Sequence, residues 1–162
     1  MTVAECQLVL TPAWQYWPKE ETLAEHWDTG KIGIVIRGEF LRIPQDSDPN
    51  PQYGTDLFDN LLAMGDVFCR LHDTDCAEVC LVDEPVSLIY HQHGDCLGLT
   101  LQALKQQSPE KEVMVAAFAQ ALSDTLHRYR QDLLKHFPFS AKACEKLDAM
   151  ATKVLKKADK SL

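Results

Sequence analysis

Between Asp75 and Leu104 the side chains alternate in character with a period of two, and two turn signals interrupt the alternation. That period places successive residues on opposite faces of an extended strand, so a helix here would mix its apolar and polar faces. Cys76 to Val82 sets Ala77, Val79 and Leu81 against Cys76, Glu78, Cys80 and Val82, a strand with apolar content on both faces. Asp83-Glu84-Pro85 supplies a turn, because proline has no amide to donate within a ladder. Val86 to His91 and Cys96 to Gln102 then face each other across Gln92-His93-Gly94-Asp95, with Leu97, Leu99 and Leu101 on the core side. Connections this short make the three strands antiparallel neighbours.

The rest of the chain is read around that sheet. Cys6 to Leu10 is a short edge strand ended by Pro12, and the alternation of Trp14 and Tyr16 indicates an extended aromatic segment. Trp14, Trp17 and Trp27 lie within fourteen residues and read as a small core packed over the sheet. Glu20 to Trp27 is a short helix by pattern. Lys31 to Ile43 is extended, with Ile32, Ile34 and Ile36 on one face and Gly38 as a bulge or turn. The proline-rich run from Pro44 to Asp56 is a loop by composition.

A helix follows over 55–72, capped by Thr55 or Asp56, with Phe58, Leu61, Leu62, Phe68 and Leu71 as its buried stripe. Gly65 inside it is unfavourable for a helix by about 1 kcal/mol, which a close helix–sheet approach would explain. Ser108-Pro109-Glu110 has the residues of a helix start, with a capping hydroxyl, a proline at the first helical position and an acid in the first turn. Val115, Phe118, Leu122, Leu126, Tyr129 and Leu133 carry that helix to Pro138, and Ser140 caps a last helix whose basic end frays. The expectation is one α+β domain over 1–162, a mainly antiparallel sheet of about four to six strands against three main helices. Its parts are N-terminal strands and loop over 1–54, a helix over 55–72, strands over 75–104 and a pair of helices over 108–158.

Charge is unevenly placed. From Asp46 to Asp95 eleven acids face one base, Arg70, a balance of −10, whereas the other residues hold thirteen acids and fifteen bases, or +2. Such a field repels nucleic acid and anionic membranes and steers basic partners inward. No run approaches the roughly 18 apolar residues of a membrane span. The leading MTVAECQLVLTPAW lacks a basic region and carries Glu5, so a soluble, cytoplasmic protein is expected, with its six cysteines reduced and structural.

Candidate chemistry is sparse. There is no P-loop, GxGxxG, HExxH or GxSxG motif, so the expectation is a protein without enzymatic activity and without a cofactor. His91-x-His93-x-x-Cys96 offers imidazole and thiol at a hairpin, a possible zinc-binding set if the strand runs through His93. Arg128, Arg130, Lys135 and His136 form a basic patch suited to an anion or to an acidic surface. A homodimer sharing the Leu122 to Leu133 helix face is a further option.

The −10 segment and the strand–turn–strand pattern LVDEPVSLIYHQHGDCLGLTL together resemble the small acidic immunity proteins of bacterial toxin systems. That resemblance implies a non-catalytic protein that binds a cognate toxin, often a nuclease with a basic cleft, and occludes it. It is a likeness of class that transfers no residue-level motif. The acidic face itself would comprise Asp46, Asp48, Asp56, Asp59, Asp66, Asp73, Asp75, Glu78, Asp83 and Glu84, with a protein partner and neither nucleic acid nor membrane.

Overall fold

The computed structural model describes residues 4–16, 21–81 and 85–160. It is an α+β arrangement of antiparallel strands and helices, with two of its three long helices forming a C-terminal pair. The strands fall into two sheets. The first contains β1 (Cys6–Pro12), β2 (Gly30–Ile36) and β3 (Glu39–Phe40) in that order. Arg37 and Gly38, both at positive φ, turn β2 into β3. Between β1 and β2 the chain forms one helical turn, α1 (Ala13–Tyr16), and a 3-10 segment, Glu21–His26. Trp14 and Tyr16 are therefore helical rather than extended.

Trp14 stacks on His136 with ring centroids 4.6 Å apart and packs beside Tyr129 and Phe137. Trp27 packs on Phe58 and Phe139. The two tryptophans thus seal helix ends rather than cover a sheet, and Trp17 lies outside the described residues.

The helix α2 (Leu57–Cys69) begins where Asp56 accepts a hydrogen bond from the Asp59 amide, and it buries Phe58, Leu61, Met64 and Phe68. Gly65 faces Met150 and Val154 of α4 (Ala141–Lys160), so the close approach that favours glycine is helix to helix.

The second sheet holds β4 (Cys76–Cys80), β5 (Val86–His93), β6 (Cys96–Ala103), β7 (Gln106–Gln107) and β8 (Lys111–Met114). Both β7 and β8 pair with the same side of β6. Here the structure departs from the sequence reading, because α3 (Val115–His136) starts at Val115 and not near Ser108. Ser108 does cap, but it caps a strand. Its hydroxyl accepts from the Leu101 amide (2.9 Å), while its own amide donates to the Leu101 carbonyl (2.8 Å). Pro109, which has no amide to donate, sits between β7 and β8 at a sheet edge, where proline is tolerated.

At the other end, Ser140 lies in a 3-10 turn and donates to the Phe137 carbonyl (2.7 Å) instead of capping α4. The last helix continues through Lys160, and Lys157 is tied to the Leu71 carbonyl (2.6 Å) and the Gln92 side chain (3.0 Å).

The core joins both sheets to the helices. Ile32 and Ile34 of the first sheet, Leu88 and Leu101 of the second, and Met64 of α2 line one small common cavity. Tyr90 packs edge-on against Phe68 and Phe118, and its hydroxyl donates to the Met64 carbonyl (2.9 Å). Leu122, Leu126 and Leu133 are fully buried within this core, so they offer no surface to a second copy. Among the described residues no helix is long and apolar enough to cross a membrane.

Candidate functional site

Because β5 extends through His93, the side chains of Ser87, Ile89, His91 and His93 share the face opposite Leu88 and Tyr90. Pairing carries that face across the sheet. His91 lies between Cys76 on β4 and Gly98 on β6, Gly98 lies opposite Glu112 on β8, and His93 lies opposite Cys96. The inner face of the sheet is packed. The outer one shows Cys76, Glu78, Cys80, His93, Glu112 and Met114 to solvent. Three of the six cysteines, Cys76, Cys80 and Cys96, are thus on or beside open surface, where a purely structural role does not account for them, and all six are free.

Two histidines and a glutamate converge on this face. The rings of His91 and His93 have centroids 3.7 Å apart, and His91 Nδ1 lies 3.3 Å from Glu110 Oε1. One donor atom from each of His91, His93 and Glu110 falls within 4.8 Å of the others. Gly98 makes this possible, because a Cβ at that position would collide with the Glu110 carboxylate lying over it.

Cys96 belongs to a different neighbourhood. Its sulfur donates to Asp95 Oδ1 at 3.6 Å, and the thiol is pushed up to about 11, first by its hydrogen bond to Glu112 and then by desolvation and the charges of Glu112 and Asp95. A thiol so placed stays protonated at neutral pH and is no ready nucleophile.

The acidic residues named from sequence are distributed over several elements. Asp46 accepts from the Asp48 amide (3.0 Å) and the Tyr53 hydroxyl (2.8 Å), and these bonds hold its carboxyl below the ordinary range. Asp48 accepts from the Asn50 amide in the same loop (2.9 Å). Asp56 caps α2 next to Asp59 and Asp28; burial, reinforced by those two charges, pushes its carboxyl up to about 6. Asp66 pairs with Arg70 at 2.8 Å on the exposed side of α2.

Asp73 accepts from the Gly94 amide, which brings it to the β5–β6 turn where Asp95 also lies, whereas the Asp75 carboxylate accepts from the His72 amide in the loop before β4. Glu78 stands exposed on β4. Asp83 and Glu84 lie outside the described residues. Glu110 and Glu112, which the sequence reading assigned to a helix, join Glu78 and Asp95 on or beside the open face of the sheet. The run Lys111, Glu112, Val113, Met114 does not alternate in character and gave no strand signal, and the Ser-Pro-Glu pattern before it favoured a helix.

The basic patch is largely engaged. Arg130 Nε and His127 Nδ1 both contact Asp148, at 2.7 and 3.3 Å, and His136 stacks on Trp14. A recess of about 820 Å³ separates β1 from α3, where Arg128 stands with Asp124 and Asp132, so its charge is mixed.

No family model matches the chain, and no curated protein or solved structure is significantly similar to it.

Proposed function

We propose that this chain is a non-catalytic binding protein of the immunity class, which neutralises a toxin domain by covering its basic surface. The observation that carries the reading is the joint placement of acids on and around one uncovered sheet face. Glu78, Glu110 and Glu112 lie there, with Asp73 and Asp95 at the adjoining turn. Carboxylates held on paired strands form a rigid negative surface, which favours fast, salt-sensitive capture of a basic partner. Antiparallel sheets commonly leave one face to solvent, and here the inner face alone carries the apolar residues needed for the core. Such a protein would act in the cytoplasm, where the toxin must be met.

The test is co-expression with the toxin domain encoded beside this chain's gene. The expected result is survival of the host and a stable one-to-one complex. Continued toxicity despite abundant folded protein, or the lack of a toxin gene as neighbour, contradicts the proposal.

A further inference from the structure

We infer that His91, His93 and Glu110 form a binding site for a divalent transition-metal ion, zinc above all. This does not rest on the immunity reading, since the three ligands are brought together by the chain's own fold whatever the partner. Three observations support it.

First, the two imidazoles occupy alternate positions of one strand and project from the same face, with ring centroids 3.7 Å apart. Second, Glu110 reaches them from the segment just before β8, and Gly98 leaves the space its carboxylate occupies. Third, the separations suit a shared ion. Two donors about 2.05 Å from one tetrahedral zinc stand roughly 3.3 Å apart. His91 Nδ1 and Glu110 Oε1 are 3.3 Å apart, and all three donors lie within 4.8 Å. Small side-chain rotations close the remaining distance, and His93 and Glu110 are exposed enough to make them.

The donor chemistry selects the ion. Two neutral imidazoles and one carboxylate match zinc and its neighbours in the first transition series, whereas magnesium and calcium prefer all-oxygen shells. Glu112 and Asp95 nearby strengthen attraction for a cation without joining the donor group. With three protein ligands on an open face, at least one coordination position is left for water or for a group of a partner molecule.

The competing account is a simple His91–Glu110 ion pair (3.3 Å) on the sheet surface. His93 separates the two, because it has no part in that pair. The experiment is zinc titration by calorimetry on untagged, chelator-stripped protein, with bound metal counted by mass spectrometry. The expected result is one zinc per chain with a dissociation constant in the micromolar range or tighter.

His93→Ala should weaken binding at least ten-fold, and Gly98→Ala should do the same by displacing Glu110. Cys96→Ser should leave binding unchanged. Circular dichroism and melting of each variant establish that it is folded. No zinc uptake by the wild type, or undiminished uptake by folded His93→Ala, overturns the assignment. Loss of binding in Cys96→Ser would replace it with the His91, His93 and Cys96 set.

Discussion

The two faces of the five-stranded sheet are built from alternate residues of the same strands, yet they obey different rules. On the inner face Val79, Leu88, Tyr90, Leu97, Leu99, Leu101 and Val113 are each at most 2% exposed. On the outer face the same strands carry thiols, imidazoles and carboxylates, several open to water. The inner face specifies the fold through burial, where one residue of register slip would move every apolar side chain into solvent. The outer face is free of that demand. Its chemistry depends on which strands become neighbours, because His91 and Glu110 are nineteen residues apart and meet only across β6.

Substitutions on the two faces should have very different effects. The largest effect is expected inside. Leu99→Ala removes a fully buried side chain and should lower unfolding free energy by about 2–5 kcal/mol, measured by urea denaturation. A loss below about 1 kcal/mol would mean that the inner face is not the packed one.

Next comes Ser108→Ala, which leaves the buried Leu101 amide without the hydroxyl acceptor it has now. It should be destabilising by about 1–3 kcal/mol. It should also raise hydrogen exchange at Leu101 while leaving exchange in α3 unchanged. Faster exchange in the first turn of α3 instead would favour a helix-capping role for Ser108.

A smaller effect concerns pH. The Asp56 carboxyl is pushed up to about 6 in the folded protein, chiefly by burial, against an ordinary value near 4. The folded state therefore holds the proton more tightly, so this group's contribution is full below about pH 4 and is lost as pH rises through 6. Asp56→Asn keeps a good helix cap and removes the ionisation. It should raise stability at pH 7 by about 1 kcal/mol or less, given solvent screening, and have no such effect at pH 4. Melting curves at the two pH values check this.

The smallest effect is expected outside. Glu78→Lys with Glu112→Lys should change stability by no more than about 0.5 kcal/mol, because both side chains are exposed. A large loss would show that this face, too, serves the fold.

What could be read from the sequence follows the same division. The β5–β6 hairpin was legible because its partners are adjacent and Gly94, at φ 60°, supplies the first residue of a two-residue turn. The start of α2 was legible because Asp56 and Asp59 act within one turn of helix. The edge strand β8 was not, since serine before proline offers a hydroxyl to whichever amide is near. Only tertiary structure places Leu101 there rather than the amides of a helix.

Glu110 was missed for the same reason: once read into a helix, it could not be set against a histidine on β5. Cys96 was visible as a neighbour of His93, but the carboxylates that occupy its sulfur come from the turn and from β8. Gly65 signalled close packing correctly, while the identity of the packing element, α4, lay about eighty-five residues away in the sequence.

Under the proposed function the outer face of this sheet serves binding while the inner face holds the structure. The decisive measurement is stopped-flow association of the proposed partner, a toxin domain encoded beside this chain's gene, with wild-type protein and with the Glu78→Lys, Glu112→Lys variant, at low and at high ionic strength. The variant should associate about ten-fold more slowly at low salt, the gap should narrow at high salt, and the melting temperatures should agree. Equal association rates for the two folded proteins at low salt would contradict it.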